Sequence, residues 1–67
     1  MLLQLNGKQV ELADEITTVR ELLNAYQLQE KIVVVERNGD IVDRSAYETT
    51  PIADGDRIEI VHFVGGG

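Results

Sequence analysis

Leu3-Gln4-Leu5-Asn6-Gly7-Lys8-Gln9-Val10-Glu11-Leu12 alternates apolar and polar residues on either side of an Asn-Gly pair. A type I′ turn needs φ > 0 at both central residues, and Asn-Gly supplies it at least steric cost. A two-residue loop then pairs Leu5 with Lys8, Leu3 with Val10 and Met1 with Leu12. In that register Leu3, Leu5, Val10 and Leu12 share one face, with Lys8 at its rim. Gln4, Gln9 and Glu11 fall on the other. Turn chemistry and hydrophobic pattern agree, so the chain opens as an antiparallel hairpin with one face to bury.

The residues that follow supply the cover. Thr18 and Glu21 have capping-box spacing. Val19, Leu22, Leu23 and Tyr26 recur at i, i+3, i+4 and i+7, the apolar stripe of a helix of about two turns or a little more. That stripe is expected to lie across the inner face of the hairpin. Ile32-Val33-Val34-Val35 is a β-branched run that reads as a strand buried on both sides, hence central. Asn38-Gly39 is a second tight turn, leading to a short strand at Ile41-Val42. Ser45 with Glu48 resembles the cap of a single helical or 3₁₀ turn through Tyr47. Pro51 and Asp54-Gly55-Asp56 form a loop and turn. From Arg57 to Phe63 the alternation returns, with Ile58 and Ile60 on one face and Glu59, Val61 and Phe63 on the other.

Hairpin, helix, strand, short strand and final strand, with the first and last strands parallel, make a mixed sheet of four to five strands. One main helix packs on one face. This is α+β architecture, and its compact form is the β-grasp, or ubiquitin-like, fold. Sixty-seven residues make one domain. Its expected extent is residues 1–64, with residues 65–67 a flexible glycine tail.

Composition excludes several function classes. Twelve acidic against six basic residues give a formal net charge of −6. Such a polyanion repels nucleic acid and is steered towards basic protein surfaces. Tyr26, Tyr47 and Phe63 are too few aromatics for a base-stacking platform. The chain has no cysteine, so no side-chain thiol carries sulfur or binds zinc, in keeping with a reducing cytoplasm. Met1 to Leu5 lacks the basic and long apolar regions of a signal peptide, and no membrane span is expected. Asp54-Gly55-Asp56 lacks the spaced ligands of a calcium loop, so no metal is expected. His62, the lone histidine, has no nucleophile or carboxylate that the sequence places beside it. No catalytic constellation emerges, and the chain is not expected to be an enzyme.

The remaining chemistry is at the end. Phe63-Val64-Gly65-Gly66-Gly67 carries the last strand into bare glycines. Frayed termini and cloning remnants also look like this. Without Cβ atoms, however, three extended residues reach roughly 10 Å and enter channels that a branched residue cannot. Val34, Val61 and Phe63 are expected on the sheet face away from the helix. With Val64 they form an apolar docking patch beside the tail.

Asn38-Gly39-Asp40-Ile41-Val42-Asp43-Arg44, Asp54 through Val61 and the terminal Gly66-Gly67 resemble the ThiS family, the sulfur carriers of thiamine biosynthesis. The resemblance spans the whole chain. Asp43 stands where many members have proline, and Gly65 adds a third glycine. The resemblance implies that a ThiF-like adenylating enzyme uses ATP and magnesium to activate the Gly67 carboxylate. A cysteine desulfurase persulfide then supplies sulfur. The resulting thiocarboxylate serves a ThiG-like thiazole synthase. Gly65 and Gly66 would be the residues read by the partner's tunnel, and no cofactor would be bound by the chain itself. Two alternatives with the same fold and tail remain open at this point: the small subunit of molybdopterin synthase, and a ubiquitin-like protein modifier.

Overall fold

The computed structural model describes residues 1–63. Five strands form one sheet: β1 (Leu2–Leu5), β2 (Lys8–Glu11), β3 (Val33–Arg37), β4 (Asp40–Val42) and β5 (Arg57–His62). One helix, α1 (Val19–Ala25), and a 3₁₀ turn (Arg44–Ala46) complete the elements. The strand order is β2-β1-β5-β3-β4. β5 runs parallel to β1 and antiparallel to β3, so the last strand is the centre of the sheet and joins two hairpins. The mixed sheet with one covering helix is the β-grasp arrangement.

The first hairpin has the expected register, with Leu3 opposite Val10 and Leu5 opposite Lys8. Met1 and Leu12 extend it by exchanging two hydrogen bonds of 2.8 Å. Asn6 and Gly7 have φ of 51° and 82°, and Asn38 and Gly39 have φ of 53° and 90°, as type I′ turns require. Both asparagines also hold β5. The Asn6 amide donates to the Ile60 carbonyl (3.1 Å) and accepts from the Ile60 N–H (2.7 Å). The Asn38 side-chain oxygen accepts from the Arg57 N–H (2.9 Å), while its backbone N–H donates to the Arg57 carbonyl (2.8 Å). Each turn is thereby pinned to the strand between the hairpins.

At the start of α1, Thr18 Oγ1 accepts from the Glu21 N–H. The Glu21 carboxylate reaches back one residue further than a capping box predicts, accepting from the N–H and hydroxyl of Thr17 at 2.8 Å each. Those bonds hold the Glu21 carboxyl below its ordinary value. The next orphan donors find loop carbonyls: Val19 N–H bonds to Thr50 and Arg20 N–H to Tyr47. The helix ends in a Schellman motif. Leu28 N–H donates to the Leu23 carbonyl and Gln27 N–H to that of Asn24, with Gln27 at φ 60°.

Leu22, Leu23 and Val19 pack with Leu3, Leu12, Val35, Ile58 and Ile60 in one core, closed at its end by Tyr47 and Ile52. Burying each such side chain stabilises the fold by about 1.5–3 kcal/mol. Three expectations are corrected. Tyr26 is the helix C-cap and is exposed, and Leu28 packs against the core in its place. The β3 run is not buried on both sides. Only Val35 is fully covered, and Ile32 is 71 % exposed, because the helix covers one face only. The 3₁₀ turn begins at Arg44, with Asp43 at its cap position, so Ser45 lies inside it and does not cap it.

Asp54-Gly55-Asp56 is a turn, with Gly55 at φ 83°, and Asp56 is also a buried hub. Its carboxylate accepts from Arg37 Nε (2.8 Å), Asn38 Nδ2 (3.0 Å) and the Ala53 N–H (2.8 Å). Burial pushes this carboxyl up. The bonds from Asn38, Arg37 and Ala53, with the guanidinium charge, outweigh it and hold the carboxyl below its ordinary value.

Two outcomes follow for stability in urea. Gln27→Gly relieves the left-handed strain of a residue with a Cβ and raises stability by about 0.5–1 kcal/mol. Asp56→Asn lowers it by about 1.5–3 kcal/mol near neutral pH. Because the native carboxyl titrates below the unfolded one, its contribution is complete above the unfolded value. It falls as pH drops through that value and then through the lowered native value. The gap between wild type and Asp56→Asn therefore narrows on acidification, and a gap that widens contradicts the assignment.

Candidate functional site

β5 is held on both sides only over its first half. β1 pairs with it at Arg57 and Ile58, and the Asn6 side chain carries the contact on to Ile60. Beyond that point β3 alone holds it, through the pairs Val34–Val61 and Val33–His62 and a 3.0 Å bond from the Phe63 N–H to the Ile32 carbonyl. The chain leaves the sheet at Phe63. Val64, Gly65, Gly66 and Gly67, the tail and the last member of the expected patch, lie outside the described residues.

The alternation of β5 settles which side chains accompany that exit. Ile58 and Ile60 face the helix; Glu59, Val61 and Phe63 face the open side. Opposite them on β3 stand Glu36 and Val34, with Ile32 next in line. Val61 and Phe63 are 52 % and 55 % exposed, and Val34 is exposed too. The three described members of the expected patch therefore share one face. Ile32 and Ile41 join it and were absent from the sequence reading. Stepping by two from Val34 reaches Ile32. The two-residue turn at Asn38-Gly39 places Ile41 opposite Glu36.

Glu36 and Glu59 are directly opposed at the edge of this patch. The open face therefore combines an apolar centre with an opposed carboxylate pair on one side, followed along β5 by Arg57. On the helix side, an open groove of about 430 Å³ lies between the end of α1 and the first hairpin, lined by Leu5, Lys8, Val10, Tyr26, Leu28 and His62 among others. No group of three or more metal-ligating side chains occurs among the described residues. No helix among them is long and apolar enough to cross a membrane.

The ThiS family model matches residues 3–67. The chain belongs to the ThiS family. It is 52 % identical over 66 residues to the sulfur carrier protein ThiS of Bacillus subtilis, covering 98 % of this chain and 100 % of that protein. A crystal structure of the thiamine biosynthesis protein ThiS from Geobacter metallireducens superposes with a TM-score of 0.83 at 39 % identity, covering all of both chains. The ThiS-family chain is also 40 % identical, over its full length, to part of a thiazole synthase from Paramagnetospirillum magneticum, of which it spans 20 %.

The opposed carboxylates give a direct check on the open face. Like charges across a strand pair are destabilising by about 0.2–1 kcal/mol. Glu59→Gln raises stability in urea by that amount at low ionic strength, and the gain shrinks with added salt. A loss of stability contradicts the placement.

Proposed function

We propose that this chain is a sulfur carrier of thiamine biosynthesis, a protein cosubstrate and not a catalyst, whose cargo is bound at the α-carboxylate of Gly67. The observation that carries the reading is the family match, which runs through Gly67 and is joined by near-complete coverage of a relative named as the sulfur carrier.

A carboxylate is a poor electrophile at neutral pH. A partner adenylating enzyme, using ATP and magnesium, would convert it to an acyl-adenylate and release pyrophosphate. Attack by persulfide sulfur then expels AMP, and a thiol reductant frees the thiocarboxylate. Sulfur is thereby held as a nucleophile without release of sulfide. Gly66 keeps side chains away from the carbonyl under attack, and Gly65 adds reach. Thiazole synthase is the acceptor the comparisons favour, since a stretch similar to this chain lies within a protein of that name. A cysteine desulfurase is the proposed sulfur source, and the cytoplasm the proposed compartment.

The body of the domain would do the docking. Val34, Val61 and Phe63, with Ile32 and Ile41, offer the apolar surface against which a partner seats while the terminal glycines enter its active site.

The test is intact-mass analysis after incubation with ATP, the adenylating enzyme and a sulfur source. The expected product carries one oxygen-to-sulfur exchange, confined to Gly67 by peptide mapping. Deleting Gly67 abolishes it. Val34→Thr with Val61→Thr keeps the β-branched shape while lowering the rate by about tenfold, the equivalent of about 1.4 kcal/mol. An unmodified Gly67, or an exchange at another residue, overturns the reading.

A further inference from the structure

Half of the chain's six basic residues converge where the 3₁₀ turn meets α1. Arg20, Lys31 and Arg44 line one recess of about 50 Å³, together with Tyr47 and Gln29, and no carboxylate lines it. That concentration is unexpected in a chain with twice as many acids as bases. None of the three cations forms a salt bridge among the described residues, whose ion pairs are Met1–Asp14 and Arg37–Asp56.

The recess is built and braced. The Arg20 guanidinium lies over the Tyr47 ring, 5.5 Å from its centroid, a cation–π contact that limits its rotamers. The Arg20 N–H donates to the Tyr47 carbonyl at 2.9 Å, fixing the helix to the turn. Tyr47 is itself only 5 % exposed. Its hydroxyl makes no hydrogen bond among the described residues. No buried side-chain oxygen or nitrogen among the described residues lacks a partner, so the hydroxyl retains contact with solvent. A nearly buried tyrosine sharing one recess with three cations that have no salt-bridge partner among the described residues suits an anion.

We propose that this recess binds a phosphate group. Two guanidinium forks, an ammonium and a phenol offer directional donors to a tetrahedral oxyanion, and planar guanidinium suits phosphate oxygens in particular. The volume exceeds the roughly 10–15 Å³ needed for one water and admits a group of a few heavy atoms. The recess borders the end of the helix and shares Ile32 with the apolar open face, and the inference does not depend on the carrier reading.

The experiment is an amide-resolved NMR titration of the full chain with inorganic phosphate, then with phenyl phosphate, against sodium chloride at matched ionic strength. The expected result is saturable shifts centred on Arg20, Lys31, Arg44 and Tyr47 that chloride does not reproduce. Equal affinity for the two probes assigns the recess to free phosphate; tighter binding of phenyl phosphate assigns it to a phosphate ester. Lys31→Gln with Arg44→Gln, both at exposed positions, weakens binding by about tenfold or more. Tyr47→Phe keeps the ring and weakens it by about two- to tenfold. Shifts that grow linearly, that spread equally to Lys8 and Arg57, or that persist unchanged in both variants overturn the proposal.

Discussion

The fold depends on one strand lying between two hairpins. Each hairpin by itself is a two-stranded ribbon of marginal stability. β5 joins them into a five-stranded sheet and brings Ile58 and Ile60 under the helix. Its position is specified from both sides by side chains that a turn alone does not require. Asn6 bonds both backbone groups of Ile60, and Asn38 receives the Arg57 N–H. Asp56, just before the strand, gathers Arg37, Asn38 and the Ala53 N–H on one carboxylate. Sliding β5 by one residue breaks all of these and turns Ile58 and Ile60 out of the core.

The same placement links stability to function. The alternation that buries Ile58 and Ile60 presents Val61 and Phe63 to the open side. The parallel run beside β1 ends before the last residues of β5, so the strand's end is held by β3 alone. Phe63, the last described residue, itself belongs to the apolar face a partner would meet. A sulfur carrier needs a rigid body that a partner can recognise. A protein with twelve acidic residues also approaches basic surfaces faster than neutral ones.

Much of this was legible in the sequence where the signal is local. Asn-Gly between alternating segments fixed the first register, and Thr18 with Glu21 marked the start of the helix. The helix end was harder, because its left-handed residue is Gln27, where the usual signal is glycine. The valine run misled because an unbroken β-branched stretch carries no alternation to show that only one face is covered. Ile41 entered the open face through a register that the second Asn-Gly turn already implied. Asp56 read only as a turn former, since Arg37 and Asn38 reach it from 19 and 18 residues away. The recess at Tyr47 was hidden for the same reason: Arg20, Lys31 and Arg44 are far apart in sequence. The terminal glycines were visible at once in the sequence, and the role proposed for them rests on the family the chain belongs to.

Native-state hydrogen exchange tests most directly whether β5 holds the structure together. The account predicts that the amides of Ile58 and Ile60 exchange only through global unfolding, with protection equal to the full unfolding free energy. Amides of the β1–β2 hairpin would be no better protected. Exchange of Ile58 and Ile60 through local opening, while the first hairpin stays protected, would contradict it.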